Sequence, residues 1–509
     1  MNDVKNRINA LVQKYNVGRV DYLKVNYNET QLRTDFLDPF FEILGWDIQN
    51  KCGKPTNERE VLVEEALKGD INSNTKKPDY TFRLFSERKF FLEAKKPSVK
   101  IKNDPEPAKQ VRRYGFTAKL KISVVSNFEY LAIYDCSRKV DQSDSATTAR
   151  INLYHYSEYV QFFEEIQNQL GHLAVYTGRF DETWKQIEDQ IKLSSVDDLF
   201  LKQINEWRLL LGKEVFSHQD HLNESQLNDI VQSYLNSIIF LRVCEDRNIE
   251  IYKTLLNVAN KQDFMALIQK FKDADRKYNA GLFNLALTDQ IINNNSSAFW
   301  QIIKQLYFPE STYSFSVFAS DILGNIYEIF LGEQLEIKDT GIVLSKKPEH
   351  IDRDIVTTPI FIIRDILKET VVKHCKGKTD KEILNSSFAD IACGSGAFLL
   401  ETYQVLHDIL VDYYLKHQST ELIQTSVSSY KLRYKTKKVL LTNCIFGVDK
   451  DYNAVEACKF GLLLKLLENE DNGSIPTPAL PNIDENICYG NSLLEAEDAP
   501  IKSQLEINP

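Results

Sequence analysis

A glycine-rich stretch near residue 390 places the strongest constraint on the fold of this 509-residue chain. It reads Asp-Ile-Ala-Cys-Gly-Ser-Gly-Ala-Phe-Leu from Asp390 to Leu399. A strand-like run, 388–392, enters the turn, and a helix-like run, 397–411, leaves it. Glycines permit a tight turn and let a ligand approach the backbone at the start of a helix. The pattern therefore predicts a strand–turn–helix unit in a parallel sheet that binds a nucleotide-like cofactor.

The residues that follow continue the same kind of alternation. We predict a second strand region at 439–448, a helix at 453–467 and a third strand at 486–490. Asp449 ends the second strand, where an acidic side chain can bind both ribose hydroxyls of an adenosine. The turn does not match the Gly-x-Gly-x-x-Gly pattern of dinucleotide-binding folds. The alternative is a doubly wound domain that binds some other nucleotide.

The first 175 residues have a different pattern, typical of one α/β domain. An amphipathic helix is predicted over 29–44, because Leu32, Phe36, Phe40 and Leu44 recur at helical spacing. Predicted strands cover 59–66, 80–85, 89–95, 122–125 and 130–134, and the second and third of these form a hairpin. The region 180–345 is predicted to be all-helical, on the apolar spacing at 227–239 and 322–330.

Two carboxylates and a lysine meet on the predicted hairpin. Glu93 and Lys95 are two residues apart and so share one face of a strand, while Asp79 enters the paired strand. Two carboxylates can hold Mg²⁺, and a lysine can orient or help to activate a water for phosphodiester hydrolysis. The alternative is a solvated ion pair on an edge strand. The core-like neighbours of these charges argue against it, namely Phe90, Phe91, Leu92 and Ala94.

Basic residues predominate from Lys95 to Lys121, where only Asp104 and Glu106 oppose them. This local excess runs against the net charge of −10 for the whole chain. We predict that the stretch contacts DNA phosphates, with Arg112 and Arg113 among the contacts. The alternative is a solvated charged face.

The residues around this centre resemble the PD-(D/E)xK nuclease domain of type IIG restriction-modification enzymes, and are similar to the nuclease of type I restriction subunits. The resemblance is carried by 78–82, 91–97 and 110–114. It implies that Asp79 and Glu93 are metal ligands and Lys95 the catalytic lysine, and that Gln110 and Tyr114 belong to a Gln-x-x-x-Tyr element of the catalytic site. A further carboxylate could come from Glu29, or from Glu60 and Glu64.

The glycine turn resembles motif I of amino-methyltransferases that act on adenine in DNA. Segment 447–449 resembles motif II, 490–493 resembles motif III, and Thr358 with Pro359 resembles the end of a Tyr-Thr-Pro motif. The resemblance implies an S-adenosylmethionine site formed by Thr358, Ala392, Gly394, Gly396, Asp449 and Asn491. Segments 240–247 and 323–328 resemble the helical connector of type IIG enzymes.

Together these resemblances imply an α/β multidomain protein with three parts. They are a PD-(D/E)xK endonuclease domain at 1–175, an all-helical connector at 176–345, and the N-terminal part of a Rossmann-like methyltransferase domain at 346–509. The implied function is restriction-modification: Mg²⁺-dependent cleavage of double-stranded DNA and N6-adenine methylation with S-adenosylmethionine. Two alternatives stay open, a DNA adenine methyltransferase with an inactive nuclease-like domain, and a DNA-binding module that senses S-adenosylmethionine.

The sequence also lacks several features that would indicate a membrane protein or a complete methyltransferase. No run of eighteen apolar residues is present, and the eight cysteines form no Cys-x-x-Cys pattern, so we expect a cytoplasmic protein with reduced thiols and no membrane span. The Asn-Pro-Pro motif that grips a flipped adenine is missing, as is a target-recognition domain. We therefore expect the N-terminal part of a longer protein, able to bind the cofactor but unable to methylate DNA alone. The oligomeric state is left open.

Overall fold

A computed structural model of the chain describes residues 2–63, 78–85, 87–193, 196–278, 283, 292–293, 295–311, 313–315, 332–339, 341–346, 358–424 and 430–492. It is a mixed α/β protein, which confirms the predicted class. The strands are β1 (Val61–Val63), β2 (Tyr80–Leu84), β3 (Glu87–Ala94), β4 (Ile122–Ser126), β5 (Tyr130–Asp135), β6 (Arg150–His155), β7 (Glu333–Lys338), β8 (Gly341–Lys346), β9 (Phe388–Asp390), β10 (Leu422–Gln424), β11 (Tyr430–Leu432), β12 (Ile445–Asp449) and β13 (Ile487–Tyr489).

The α-helices of the first half are α1 (Asn2–Tyr22), α2 (Glu29–Leu32), α3 (Asp38–Ile43), α4 (Pro105–Thr117), α5 (Phe163–Leu170), α6 (His172–Tyr176), α7 (Arg179–Thr183), α8 (Lys185–Leu193), α9 (Val196–His218) and α10 (Glu224–Asp246). Those of the second half are α11 (Thr254–Lys261), α12 (Phe264–Tyr278), α13 (Ser297–Lys304), α14 (Ile360–Leu367), α15 (Lys373–Cys375), α16 (Asp380–Leu384), α17 (Ala397–Lys416), α18 (Tyr434–Cys444) and α19 (Tyr452–Leu466). Short 3₁₀ turns occupy Thr56–Glu58 and Tyr156–Glu158, and π-helical turns occupy Arg33–Leu37 and Lys368–Val372.

A six-stranded sheet organises the first part of the chain in the order β1-β2-β3-β4-β5-β6. Strands β3 and β4 pair in parallel, and their crossover contains α4. The predicted hairpin is confirmed, because β2 and β3 pair antiparallel. Side chains alternate between two cores, so that Phe90 and Leu92 face the helices α1–α3 while Phe91 faces α4. The helical region predicted at 29–44 is also confirmed, as α2, a π-turn and α3 in succession.

The prediction that 180–345 is wholly helical was wrong at its C-terminal end. Strands β7 and β8 form an antiparallel hairpin there. Leu335 is fully buried and packs over α9, where a Cβ on Gly212 would fall 2.8 Å from a Leu335 methyl carbon. The alternation of Leu335 and Ile337 has the two-residue period of a strand, and this signal was overlooked. The helix predicted at 322–330 lies outside the described residues.

A three-stranded parallel sheet, β13-β12-β9, forms the last part of the described chain. It confirms the strands expected around 388–392 and 486–490 and the helices that follow 397 and 453. The strand predicted to begin at 439 was wrong, because 434–444 is helix α18 and the strand starts only at Ile445. Leu440, Leu441 and Cys444 are buried on one helical face. A short apolar run does not distinguish such a face from a buried strand.

The hydrophobic core is arranged in two main clusters. One lies between the six-stranded sheet and α1–α3. The other joins described residues between Phe200 and Ile487, in the helical region and the parallel sheet. The domain boundaries at 175 and 345 stay predictions. A direct contact joins the first and last parts, where the backbone amide of Thr56 donates to the Asp412 carboxylate on α17 at 3.0 Å. In the part of the chain that is described, no helix has the length and apolar character needed to cross a bilayer.

Candidate functional site

The structure brings Asp79, Glu93 and Lys95 together at one end of the six-stranded sheet. The register pairs Tyr80 with Leu92, so Asp79 stands across from Glu93 on the neighbouring strand. The Nζ atom of Lys95 lies 2.5 Å from Oε1 of Glu93. One carboxylate oxygen of Asp79, Oδ2, accepts a hydrogen bond from the backbone amide of Ala94 at 2.8 Å. The hairpin thus produces the constellation that the sequence predicted.

Burial dominates the electrostatics of this group. Glu93 is only 4% exposed, and burial, reinforced by the charge of Asp79, raises the pKa of Glu93 to about 8. Burial also raises the pKa of Asp79 to about 6, against the opposing charge of Arg33. For Lys95, burial acts to lower the pKa, but the Glu93 carboxylate outweighs it and the pKa is raised. Two carboxylates that resist ionisation side by side form a site in which a cation is favourable.

One carboxylate oxygen of this group has no hydrogen-bond partner. The second carboxylate oxygen of Glu93, Oε2, is buried and accepts no hydrogen bond. A buried oxygen in that state is expected to have a ligand. No group of three or more His, Cys, Asp or Glu side chains with metal-binding geometry occurs among the described residues. Mg²⁺ is commonly held by one or two carboxylates and keeps several waters, so Asp79 and Glu93 fit this ion.

The alternatives for a third carboxylate can now be compared. Glu29 is close enough for its charge to raise the pKa values of Asp79 and Glu93. Glu60 is engaged elsewhere, since it lies 2.9 Å from Nε2 of His172 and also pairs with Lys54. Glu64 lies outside the described residues. Of the two that the structure describes, Glu29 is therefore the carboxylate near the centre.

Arg33 is a member of the site that the sequence did not single out. Its guanidinium lies over the Tyr80 ring, 4.8 Å from the ring centroid, and 3.6 Å from the Asp79 carboxylate. Its Nε also donates to the Tyr80 hydroxyl at 3.3 Å. The signal in the sequence was its position four residues after Glu29 and one after Leu32, where the buried face of a predicted helix carries a charge. Arg33 keeps a positive charge beside Asp79.

Gln110 and Tyr114 lie one turn apart on α4, and Tyr114 packs in one cluster with Phe91 of β3. The amide nitrogen of Gln110 donates to the Tyr114 hydroxyl at 3.0 Å. Tyr114 is buried, and that burial, with the charge of Glu93 added, raises its pKa well above the ordinary value. The charge of Glu93 acts on the Tyr114 hydroxyl, and the role of Gln110 and Tyr114 in the catalytic site stays a prediction.

The prediction that Arg112 contacts phosphates was wrong, and Arg113 is partly buried and engaged within the protein. Arg112 is 1% exposed and lies 2.7 Å from the Asp144 carboxylate. Arg113 donates to the backbone carbonyl of Tyr313 at 2.9 Å. A count of charges along the chain does not show which of them fold against an acidic partner. Within this stretch, Lys100 and Lys102 are the lysines that stand exposed.

The glycine turn has the form that the sequence predicted. Gly394 and Gly396 have φ values of +53° and +92°, in the left-handed region that favours glycine. A Cβ on Gly396 would fall 2.5 Å from the Cys458 sulfur, so the position also lacks room for a side chain. Helix α17 begins directly after this residue. Its first turn therefore presents free backbone amides at the ends of the parallel strands.

Asp449 stands beside the turn at the carboxyl end of β12. One of its carboxylate oxygens accepts a hydrogen bond from the Gly394 amide at 2.8 Å, and the other from the Asp451 amide at 2.9 Å. Each oxygen retains a second lone pair, which a ribose hydroxyl could use. The structure thus joins Gly394, Gly396 and Asp449 in one site.

The remaining predicted cofactor residues lie around this point. Asn491 follows β13 closely, and the amide of Gly490 donates to the Asp449 carbonyl at 2.9 Å. Ala392 is exposed in the turn itself. Thr358 is exposed just before α14, a helix that the Arg364–Glu401 ion pair holds against α17 at 2.6 Å. Ala392 and Asn491 share the edge of the sheet with Asp449, whereas Thr358 is placed only by its neighbouring helix.

Comparison with known proteins gives two relatives. The chain is 59% identical over 509 residues to the type II restriction enzyme and methyltransferase RM.Eco57I of Escherichia coli, a match that covers 99% of this chain and 51% of that protein. A protein of Methanocaldococcus jannaschii, assigned as a type II restriction enzyme and methyltransferase, is 30% identical over 217 residues, or 37% of this chain and 17% of that protein. The chain thus spans about half the length of the first relative. No protein-family model matches it.

Solved structures give weaker likenesses. The type IIG restriction endonuclease BpuSI is 12% identical with a TM-score of 0.31, over 87% of this chain and 42% of that one. A complex of DrdV with DNA is 10% identical with a TM-score of 0.33, over 95% of this chain and 40% of that one. Scores below 0.5 do not define the fold of this chain.

Proposed function

Because the chain is a relative of the type II restriction enzyme–methyltransferase proteins, as its motifs predicted, we propose that it carries two activities of a restriction-modification enzyme. The first is Mg²⁺-dependent cleavage of double-stranded DNA at the centre formed by Asp79, Glu93 and Lys95. The second is binding of S-adenosylmethionine at the glycine turn for N6-adenine methylation of DNA. The observation that carries the nuclease proposal is the buried, unpaired oxygen of Glu93 beside Asp79 and Lys95.

The residues of the nuclease centre have distinct roles in this proposal. Asp79 and Glu93 would hold the Mg²⁺ ion, which when bound polarises the phosphate and lowers the pKa of its water. Lys95, whose pKa is raised, stays an ammonium at neutral pH and acts by donating hydrogen bonds to the attacking water or to a phosphate oxygen. The positive charge of Arg33 beside Asp79 favours the ionised carboxylate.

The residues of the cofactor site also have distinct roles in this proposal. Asp449 would accept hydrogen bonds from the ribose hydroxyls, while the turn at Gly394 and Gly396 lets the methionine end approach the backbone. Asn491 follows β13, whose last residue pairs with Asp449, and would contact the adenine side. Support comes from the parallel register that places all three strand ends together.

The nuclease proposal is tested by replacing each carboxylate with its amide in the full-length protein. Asp79→Asn and Glu93→Gln should each reduce Mg²⁺-dependent cleavage at least about a hundredfold while methylation is retained, since the sheet and the cofactor site belong to different cores. Glu60→Gln is the matched control, because Glu60 is also a buried glutamate of the same sheet region but lies outside the centre. Full cleavage by a folded Glu93→Gln protein would contradict the proposal.

The cofactor proposal is tested by calorimetric titration with S-adenosylmethionine. Asp449→Ala should weaken binding about tenfold or more, because each ribose hydroxyl would lose a charged acceptor. Asp484→Ala, which removes an exposed carboxylate paired with Lys459, is the control. Binding that is indifferent to Asp449 would show that the cofactor lies elsewhere. Metal-dependent cleavage separates the proposed enzyme from both alternatives, and methylation by the full-length protein separates the two alternatives from each other.

A further inference from the structure

Helix α4 touches three different parts of the molecule with three of its faces. Tyr114 packs in one cluster with Phe91, two residues before Glu93 on β3. Its hydroxyl accepts a hydrogen bond from Gln110, and the charge of Glu93 acts on it. Gly115 faces the six-stranded sheet, where a Cβ would fall 2.3 Å from the Cys136 sulfur and 2.5 Å from the Ser123 hydroxyl oxygen. The helix therefore lies as close to the sheet as its backbone allows.

The third face of α4 docks onto the helical region. Arg113 donates to the carbonyl of Tyr313 at 2.9 Å, and the hydroxyl of Thr117 accepts a hydrogen bond from the Ser314 amide at 3.0 Å. The ring of Phe116 lies 6.3 Å from that of Tyr313. Phe116 is counted in the large core that otherwise begins at Phe200, although its neighbours on α4 belong to the core of the sheet. The contact is thus a packed interface as well as a set of hydrogen bonds.

Segment 313–315 is itself held rigidly from the far side. The amide of Phe315 donates to the Asp246 carboxylate at 3.0 Å, and the other oxygen of that carboxylate lies 2.7 Å from the guanidinium of Arg242. Arg242 and Asp246 are both almost fully buried on α10. The guanidinium also lies 4.3 Å from the ring centroid of Tyr307. Removing one partner of a buried ion pair is strongly destabilising, so Asp246 is held in place as the acceptor of the Phe315 amide.

We propose that this docking positions the side chains of Gln110 and Tyr114 for DNA cleavage, and that Thr117 and Arg113 are the positioning residues. The inference rests on the proposed nuclease function. Thr117 lies one turn beyond Arg113, whose carbonyl accepts a hydrogen bond from its hydroxyl at 2.7 Å. The same hydroxyl therefore links the backbone of α4 to the docked segment.

The physical reason is that α4 is confined between the sheet and the docked segment. Gly115 blocks movement towards the sheet, and the docked segment blocks movement away from it. The position of Tyr114 beside Glu93 is then set by the dock and not by contacts within the centre alone. Misplacement of a group at a reacting centre by about 1 Å can lower a rate about a hundredfold.

The test is single-turnover cleavage by the full-length protein at saturating Mg²⁺. Thr117→Val keeps the volume of the side chain but leaves the Ser314 amide without its acceptor. We expect the rate constant to fall about tenfold or more with an unchanged amplitude, unchanged DNA affinity and unchanged half-saturating Mg²⁺. Thr117→Ser should restore the rate, because it keeps the hydroxyl. Thr402→Val is the matched control, since Thr402 is buried and bonds only within its own helix.

The possible outcomes are distinct. A loss of amplitude with an unchanged rate constant would show that the dock only stabilises the fold and would overturn the inference, as would an unchanged rate in a folded Thr117→Val protein. If Thr117→Val does not fold, Arg113→Gln is measured in the same way and judged by the same criteria. Normal cleavage by Glu93→Gln would instead refute the proposed nuclease centre, whatever Thr117 does.

Discussion

Without a divalent metal, Glu93→Gln should stabilise the six-stranded sheet relative to the wild type. This difference in stability should grow as the pH rises. The pKa of Glu93 is raised from the ordinary 4.5 to about 8 in the folded protein. A carboxyl group with a raised pKa favours the folded state below pH 4.5, and that contribution is lost as the pH rises towards 8. A glutamine does not ionise, so the variant keeps the stability that the wild type loses on ionisation of Glu93.

The size of this loss of stability follows from the two pKa values of Glu93, 4.5 and about 8. Each pH unit between them corresponds to about 1.4 kcal/mol, so the wild type loses at most about 5 kcal/mol over the whole interval. Between about pH 5 and pH 8 the loss is about 3 kcal/mol. The side chain is almost fully buried, which means that solvent screening reduces this figure little. Asp79 titrates with Glu93 as a pair and takes up part of the effect.

The assay is amide hydrogen exchange followed by mass spectrometry, because several cooperative units in one chain make a single unfolding free energy ill-defined. The opening free energy is compared for peptides that contain β3, at about pH 5 and about pH 8 with a chelator present. Peptides from α10 serve as an internal reference. Added Mg²⁺ should remove the pH-dependent loss in the wild type, because a bound cation favours ionised carboxylates.

The matched variant Glu60→Gln should have the opposite effect on the stability of the folded state. For Glu60, burial acts to raise the pKa, but hydrogen bonds from His172 and Lys54 lower it to about 2. The Glu60 carboxylate therefore stabilises the folded state above its unfolded pKa and loses that contribution only in acid. Glu60→Gln should lower the stability at both pH values. Parallel pH profiles for the wild type and Glu93→Gln would refute the proposed electrostatics of the centre.

Three further outcomes are expected. Gly396→Ala should weaken S-adenosylmethionine binding in calorimetry far more than it weakens the fold of the sheet region, whereas Gly178→Ala, at a similar φ of +80° with nothing within 4 Å, should leave binding unchanged. Arg112→Met should lower the opening free energy of peptides that contain α4 by about 3 kcal/mol in hydrogen exchange, because it leaves Asp144 without its ion-pair partner, while the salt dependence of DNA binding stays that of the wild type. Leu335→Ala should lower the opening free energy of peptides that contain β7 and α9 by about 2–5 kcal/mol in hydrogen exchange, through a cavity over α9, and unchanged exchange of these peptides would show that the hairpin is not part of the core.

Local patterns determined much of this protein before any tertiary contact was considered. The two-residue period of a strand put Glu93 and Lys95 on one face, and the short link after β2 brought Asp79 opposite them. The glycines at 394 and 396 marked a strand–helix turn, since few other residues adopt that backbone. Such features depend on residues that are close together along the chain, so they can be predicted from the sequence alone.

Tertiary structure decided what depends on distant partners. The sequence showed Arg112 and Arg113 as positive charges, and only the fold pairs the first with Asp144 and docks the second on Tyr313. It left Glu29 and Glu60 as equal candidates until Glu60 was found bonded to His172. Burial and partners, which set the pKa of a carboxylate and the availability of a charge for DNA, are properties of the packed molecule. The period of a strand is local, but the environment of its side chains is not.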